Sequence, residues 1–195
     1  MASNLDQLSD LLAALGLSHH YEKIKTSYRT QISLTGEIIS IDLMGYGIRS
    51  LLSGTFDNYN HLQKIYLAWN KLENLPSDLF KLDNQITHLD LSGNRLSELN
   101  KEFFDRLRYL QNLQISDNHL TIFPNKVFES LRGLQELNLR NNQIHQLLLA
   151  DIAPLISLER LYLYFNPMPA NLTDEDYYDK DGVDELRKRL DEYYN

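Results

Sequence analysis

The amino-acid sequence predicts an α/β solenoid, a stack of turns that each contribute one short strand, with a helical segment at either end. Three observations predict it: an apolar pattern recurs every 24 residues without drift, an asparagine recurs at one place in that pattern, and both ends carry apolar residues at helical spacing instead.

Six segments begin at Ile38, Leu62, Ile86, Leu110, Leu134 and Leu158, and each places apolar residues at offsets 0, 3, 5 and 10. The third reads Ile86, Leu89, Leu91, Asn94, Leu96, and the fifth reads Leu134, Leu137, Leu139, Asn142, Ile144. Offset 13 holds Leu51, Leu75, Leu99, Phe123 and Leu147, and offset 18 holds Phe56, Phe80, Phe104, Phe128 and Ile152. Offset 21 holds Tyr59, Leu107, Leu131 and Leu155, with a lapse at Asp83 that a local shift of Leu82 is expected to fill. Alternating residues such as Leu89 and Leu91 point to one side of a strand and those between them to the other. One repeat cannot bury such a stripe alone, whereas stacked neighbours share a continuous core. The column Asn70, Asn94, Asn118, Asn142 and Asn166 stands where the chain leaves the strand, so an inward amide can bond backbone groups of adjacent turns that would otherwise be buried unpaired. Tyr46 takes that place in the first repeat, so the ladder is expected to start at Asn70. The Phe column is expected to form a spine behind the strands.

These residues resemble the leucine-rich-repeat family, in its 24-residue typical class, with Pro76 and Pro124 after the offset-13 residue and Phe at offset 18. The resemblance covers about residues 38–169 and implies a horseshoe solenoid with a parallel concave sheet whose inner face binds partners. The expected organisation is a helical N-terminal cap over 1–37, six repeats over 38–169 and a helical C-terminal cap over 170–195.

A solenoid needs its two apolar ends covered. Leu5, Leu8, Leu11, Leu12 and Leu15 form a helical stripe that Ser3 or Asn4 can cap and Gly16 can stop. A second helix is expected from Ser18, carrying Tyr21, Ile24 and Tyr28 inward. At the other end Pro167 and Pro169 close the last repeat, and a helix with Val183, Leu186, Leu190 and Tyr193 on one face follows an acidic stretch. Asp184 with Lys188 and Glu185 with Arg189 have favourable i,i+4 spacing. This flank is similar to that of intracellular leucine-rich-repeat proteins.

Composition narrows the function. A net charge of −8 repels nucleic acid and acidic membrane surfaces, and the basic residues alternate with acids instead of forming a stripe. No apolar run is long enough to span a membrane. The opening Met1–Asp6 has neither a basic region nor a continuous apolar run, so no secretory signal is expected. With no cysteine, disulfides, thiolate metal sites and thiol nucleophiles are excluded, and a cytoplasmic setting is the natural expectation. Asp179-Lys180-Asp181-Gly182 has part of a calcium-loop spacing, but Tyr177 and Lys188 stand where carboxylates are required, so helix capping is expected. His19 and His20 are adjacent, a poor geometry for sharing a metal. No phosphate loop, serine elbow or zinc-protease motif occurs, so neither metal nor cofactor is expected.

What remains is a binding face. Strand residues pointing away from the core include Lys64, Tyr66, His88, Asp90, Gln114, Asn138 and Tyr162, followed beyond the strands by Trp69, Arg140 and Tyr164. Aromatics gather in the second repeat (Tyr66, Trp69) and the sixth (Tyr162, Tyr164, Phe165), with a polar strip between them. Aromatics and arginine dominate interface hot spots because they bury much area at little entropy cost. Tyr164 and Phe165 have a second expected fate, packing beneath the C-terminal helix. Six strands about 4.8 Å apart make a face of roughly 24 Å, a size suited to one protein domain or peptide. The expected function is a non-enzymatic, monomeric interaction module for a protein partner. The chain is similar in kind to effectors that bacteria deliver into a host cytosol. The alternatives are a recruiting or regulatory subunit of an enzyme complex such as a ubiquitin ligase or phosphatase, and self-association.

Overall fold

The computed structural model describes residues 7–169 and 178–194, so Ser3, Asn4, Leu5 and Tyr177 fall outside the described residues. One seven-stranded sheet runs through the molecule in chain order. A short β1 (Gln31–Ile32) pairs antiparallel with β2 (Ile38–Asp42). After it come β3 (Lys64–Tyr66), β4 (His88–Asp90), β5 (Asn112–Gln114), β6 (Glu136–Asn138) and β7 (Arg160–Tyr162). From β2 to β7 every pair is parallel and aligned 24 residues apart, so Ile41, Ile65, Leu89, Leu113, Leu137 and Leu161 form one inward row. Each of these side chains is 0–1% exposed, and the strand residues on either side of the row point to the opposite face.

The asparagine ladder binds the turns together. In every repeat from the second, Oδ1 accepts the backbone N–H of the residue 22 positions earlier: Ile48, Leu72, Leu96, Leu120 and Ile144 for Asn70 through Asn166. The Nδ2 group donates to the carbonyls 27 and 3 positions earlier, as Asn94 does to Leu67 at 3.0 Å and Leu91 at 2.9 Å. Three backbone groups per turn are thus satisfied inside an apolar rod where water cannot reach them. The ladder starts at Asn70; Tyr46 instead turns its ring toward His20, centroid to centroid 4.8 Å.

Behind the strands, phenylalanine rings touch from repeat to repeat. Phe56 stacks on Phe80 at 5.5 Å, Phe80 meets Phe103 at 5.7 Å, and Phe104 meets Phe128 edge-on at 5.6 Å. Phe103 enters the spine because the third repeat folds a helix, α3 (Lys101–Asp105), whose N-cap Asn100 accepts the Glu102 N–H at 2.8 Å. At Asp83 the expected rescue by Leu82 does not occur, since Leu82 is 62% exposed. Asn84 fills the gap with hydrogen bonds, donating to the Lys81 and Arg106 carbonyls and accepting the Ile86 N–H. A polar residue wins here because the local turn leaves backbone groups to satisfy.

At the N-terminal end α1 (Gln7–Ala14) buries Leu8, Leu11 and Leu12 completely. It ends in a Schellman turn: Leu17 N–H bonds the Leu12 carbonyl at 2.7 Å and Gly16 N–H bonds that of Ala13 at 3.1 Å. Gly16 sits at φ +70° with nothing within 4 Å of a would-be Cβ. Gly16→Ala is therefore a pure backbone test, expected to cost about 1 kcal/mol in urea unfolding with no change of fold. A 3-10 turn (Ser18–His20) leads into α2 (Tyr21–Lys25), which buries Ile24. Tyr28, expected to point inward, is 79% exposed. The helix stops at Lys25, where the Thr26 hydroxyl donates back to the Glu22 carbonyl, so the helical phase never reaches Tyr28.

At the C-terminal end, Leu161 and Tyr178 exchange backbone hydrogen bonds of 2.9 and 2.7 Å, covering the free edge of β7. Helix α5 (Lys180–Tyr194) buries Val183, Leu186 and Leu190 and packs on α4 (Leu149–Ile152). The Arg187 guanidinium donates to the carbonyls of Leu155 and Ile152, satisfying the last carbonyl of α4 and one just beyond it. Asp179 caps α5, accepting the Gly182 N–H at 2.9 Å. Asp184 pairs with Arg187 at 2.7 Å, one residue short of the expected Lys188, while Glu185 reaches Arg189 at 3.7 Å. Arg187 takes Asp184 because its own backbone contacts already hold it on that side.

Asp151 in α4 is buried and accepts the Leu148 N–H at 2.8 Å. Burial pushes its carboxyl above the ordinary aspartate pKa, partly opposed by that hydrogen bond. A raised folded-state pKa means the folded form holds the proton more tightly, so this group's contribution is fully present below the unfolded pKa and is lost as pH rises through the folded one. Asp151→Asn is expected to flatten that part of the stability–pH curve, with equal or higher stability at neutral pH. A curve that keeps the wild-type slope refutes this.

Candidate concave binding face

The parallel register lines up the outward residues in columns. One runs Ser40, Lys64, His88, Asn112, Glu136, Arg160 and the next Asp42, Tyr66, Asp90, Gln114, Asn138, Tyr162. Arg140, Tyr164 and Trp69 follow just past the strand ends. All ten predicted residues share this face or its rim; nine are half-buried and Trp69 is exposed.

The columns are not uniformly available. The N-terminal segment occupies one end: the Ser40 hydroxyl donates to the Arg29 carbonyl, Ser27 bonds Asp42, and the Arg29 guanidinium lies 5.4 Å over the Tyr66 ring. Ser40 is 1% exposed as a result. Asp42, Asp90 and Asn138 each use Oδ1 to accept the backbone N–H two residues on, at 3.0–3.1 Å, turning the chain out of the strand. Asp90 and Asn138 therefore carry a structural duty beside any binding one. In the middle, Gln114 donates to Asn112 and to Glu136 at 2.7 Å, Asn138 donates to Gln114, and Arg160 pairs with Glu136 at 2.8 Å. His88 holds the Thr87 hydroxyl at 2.9 Å, and burial, reinforced by Lys64, lowers its pKa and favours the neutral ring.

The rim is where the face departs from repeat regularity. The residue three positions past each strand end, at offset 7, has a left-handed backbone in all six repeats: Gly45, Trp69, Gly93, Asp117, Asn141 and Phe165, with φ from 51° to 76°. Glycine adopts that conformation freely, whereas a bulky side chain costs about 1–2 kcal/mol. Trp69 and Phe165 stand there nevertheless, 62% and 66% exposed. The Trp69 indole lies flat on Gly93, so close that a Cβ built there would stand 2.6 Å from the ring. In the sixth repeat the Arg140 guanidinium stacks 5.0 Å over Tyr164 and 5.7 Å over Phe165. Phe165 is not packed beneath α5. Phe165 is the rim residue that the strand pattern alone underrates; Gly45 and Gly93 in its column were the available signal of a left-handed position.

Arg140 makes no ion pair or side-chain hydrogen bond among the described residues, and its Nε is enclosed without an acceptor. An unpaired, enclosed charged donor costs about 1–3 kcal/mol or more. On the flank, where the strands begin, an open groove of about 760 Å³ is lined by Gln63, Leu82, Thr87, Arg108, Tyr109 and Gln111. Among the described residues no cluster of histidines and carboxylates has the geometry to hold a metal.

The leucine-rich-repeat family model matches residues 84–144 and again 108–168, a stretch that takes in the third to the sixth repeat. The chain carries leucine-rich repeats. Two solved structures show the same solenoid. One is a leucine-rich-repeat protein of Leptospira interrogans, 29% identical, with a TM-score of 0.57 over 72% of this chain and 32% of that one. The other is a chain of the Drosophila Toll–Spatzle complex, 28% identical, with a TM-score of 0.52 over 62% of this chain and 19% of that one. This leucine-rich-repeat protein thus spans about a third and about a fifth of those two chains. No curated protein sequence matches it significantly. Its repeats are the kind that typically serve as protein-interaction scaffolds, and no described helix is long and apolar enough to cross a membrane.

Proposed function

We propose that this leucine-rich-repeat protein is a non-enzymatic adaptor whose concave face and rim bind a protein partner, with Tyr66, Trp69 and Arg140 as the principal contacts. One observation carries the reading: a tryptophan is held exposed in a left-handed backbone position where the neighbouring repeats use glycine. A conformational cost maintained on the surface contributes nothing to the core, and such outliers concentrate at working sites. The similarity to a chain of the Toll–Spatzle complex, an assembly of proteins, supports the same mode of use. Lys64, His88, Gln114, Asn138, Tyr162 and Tyr164 would supply the surrounding complementarity.

The test begins with affinity capture on the wild-type protein, followed by direct titration of each captured partner. Trp69→Ala is expected to weaken binding at least tenfold and Trp69→Ala with Arg140→Glu at least a hundredfold, hot-spot losses of about 1.4 and 2.8 kcal/mol. Unchanged affinity in the double variant, with its unfolding curve intact, would place the interface elsewhere.

A further inference from the structure

Along the rim, two aromatic groups stand on either side of the fourth repeat. Trp69 tilts onto Gly93, filling the shelf of the second and third repeats. Arg140 of the fifth repeat tilts in the same sense along the solenoid, onto Tyr164 and Phe165 of the sixth. In the fourth repeat, Ser116 and Asp117 hold the corresponding rim positions, with Ser116 buried. With strands about 4.8 Å apart, the third and fifth repeats set the walls roughly 10 Å from each other, room for one extended segment or loop.

Charge identifies what that segment carries. Among the described residues Arg140 is a cation without an anion, and of its guanidinium nitrogens only Nε is enclosed, which leaves the two terminal ones for a ligand. The nearby acids are engaged: Glu136 with Arg160 and Gln114, Asp117 with the Asn141 amide at 2.7 Å, and Asp90 with the Ser92 N–H. Two rings hold the guanidinium plane in place, so little side-chain freedom remains to be lost when a carboxylate takes its fork. The net charge of −8 opposes a strongly acidic partner. We propose that the concave-face partner inserts a single Asp or Glu side chain, flanked by apolar residues, so that its carboxylate pairs with Arg140 while its neighbours cover Trp69 and Phe165. This deepens the interaction-module reading and rests on it.

A displayed library of random short peptides, panned against the full chain, tests it. Selected peptides are expected to carry one acid among apolar residues, and changing that acid to its amide should weaken binding about tenfold or more. Arg140→Gln should weaken binding by a similar factor and abolish the effect of the peptide change, because both remove the same pair. Arg140→Lys should restore only part, lacking the bidentate fork. Since the Arg140 side chain makes no hydrogen bond or ion pair among the described residues, these variants forfeit only its ring contacts and should keep the wild type's single cooperative unfolding transition. Peptides that need Trp69 yet ignore both Arg140 and their own acid overturn the carboxylate while leaving the concave face in use. Peptides indifferent to Trp69 and Arg140 alike, or no selected peptide at all, overturn both. Tighter binding when phosphoserine replaces the acid would assign the site to a phosphate and overturn the carboxylate.

Discussion

Asn118→Ala is expected to remove about 3–4 kcal/mol of stability, a large part of what a domain of this size possesses. The side chain is 4% exposed and lies in the middle of the ladder. Its Oδ1 is the acceptor for the Leu96 N–H at 3.0 Å, and its Nδ2 donates to the carbonyls of Leu91, Ile115 and Ser116 at 3.0–3.2 Å. Those carbonyls keep a second donor after truncation: Asn94 for Leu91, Asn142 for Ile115, and the Gly93 N–H for Ser116. The Leu96 N–H keeps none. One orphaned buried donor costs about 1–3 kcal/mol and each half-satisfied carbonyl about 0.5–1 kcal/mol more. Asn118→Asp is expected to be no milder, since it retains the acceptor but turns a carboxylate on carbonyl oxygens. Urea unfolding measures both, with exposed Asn74→Ala as a control expected to stay within about 0.5 kcal/mol of the wild type. A loss below about 1 kcal/mol for Asn118→Ala would mean that the ladder does not hold the turns together.

Phe104→Ala is expected to cost about 3–5 kcal/mol, the range for deleting a fully buried ring. Phe104 is 0% exposed and touches Phe103 at 5.0 Å and Phe128 at 5.6 Å, so it joins the third repeat to the fourth. In a solenoid each repeat is stabilised through its neighbours, and the loss therefore falls on the coupling between the two halves. Phe104→Leu is expected to recover about half of it by refilling most of the cavity. If Phe104→Ala and Ile122→Ala cost the same, the spine contributes no more than an exposed apolar residue does, because Ile122 is 53% exposed.

Much of this architecture is legible in one dimension. A solenoid places residue i beside residue i+24, so a tertiary neighbour is also a sequence period, and the strand row, ladder and spine could all be read from the 24-residue repeat. The reading fails where the period is broken. Asp83 interrupts its column, and a polar side chain, Asn84, completes the turn in place of Leu82. Tyr28 sits at a helical spacing but beyond the end of its helix, and its ring stands beside Arg29 at 4.5 Å. The candidate face was legible as a list of outward positions, yet the duties of its members were not. Nothing local distinguishes Gln114, tied into a network across two neighbouring strands, from Arg140, whose side chain has no hydrogen-bond or ion-pair partner among the described residues.

The chain alone was enough to set the register of the turns and the side of each strand that is buried, because those follow from periodicity and from the need to cover apolar and backbone groups. It took the folded assembly to show that the Ser27–Arg29 segment covers one end of the outward face, that Trp69 rests on Gly93, and that Arg140 lies on two rings with no anion paired to it among the described residues. Each of those facts depends on the angle at which side chains from different repeats meet, and a repeating pattern specifies position along the rod but not that angle.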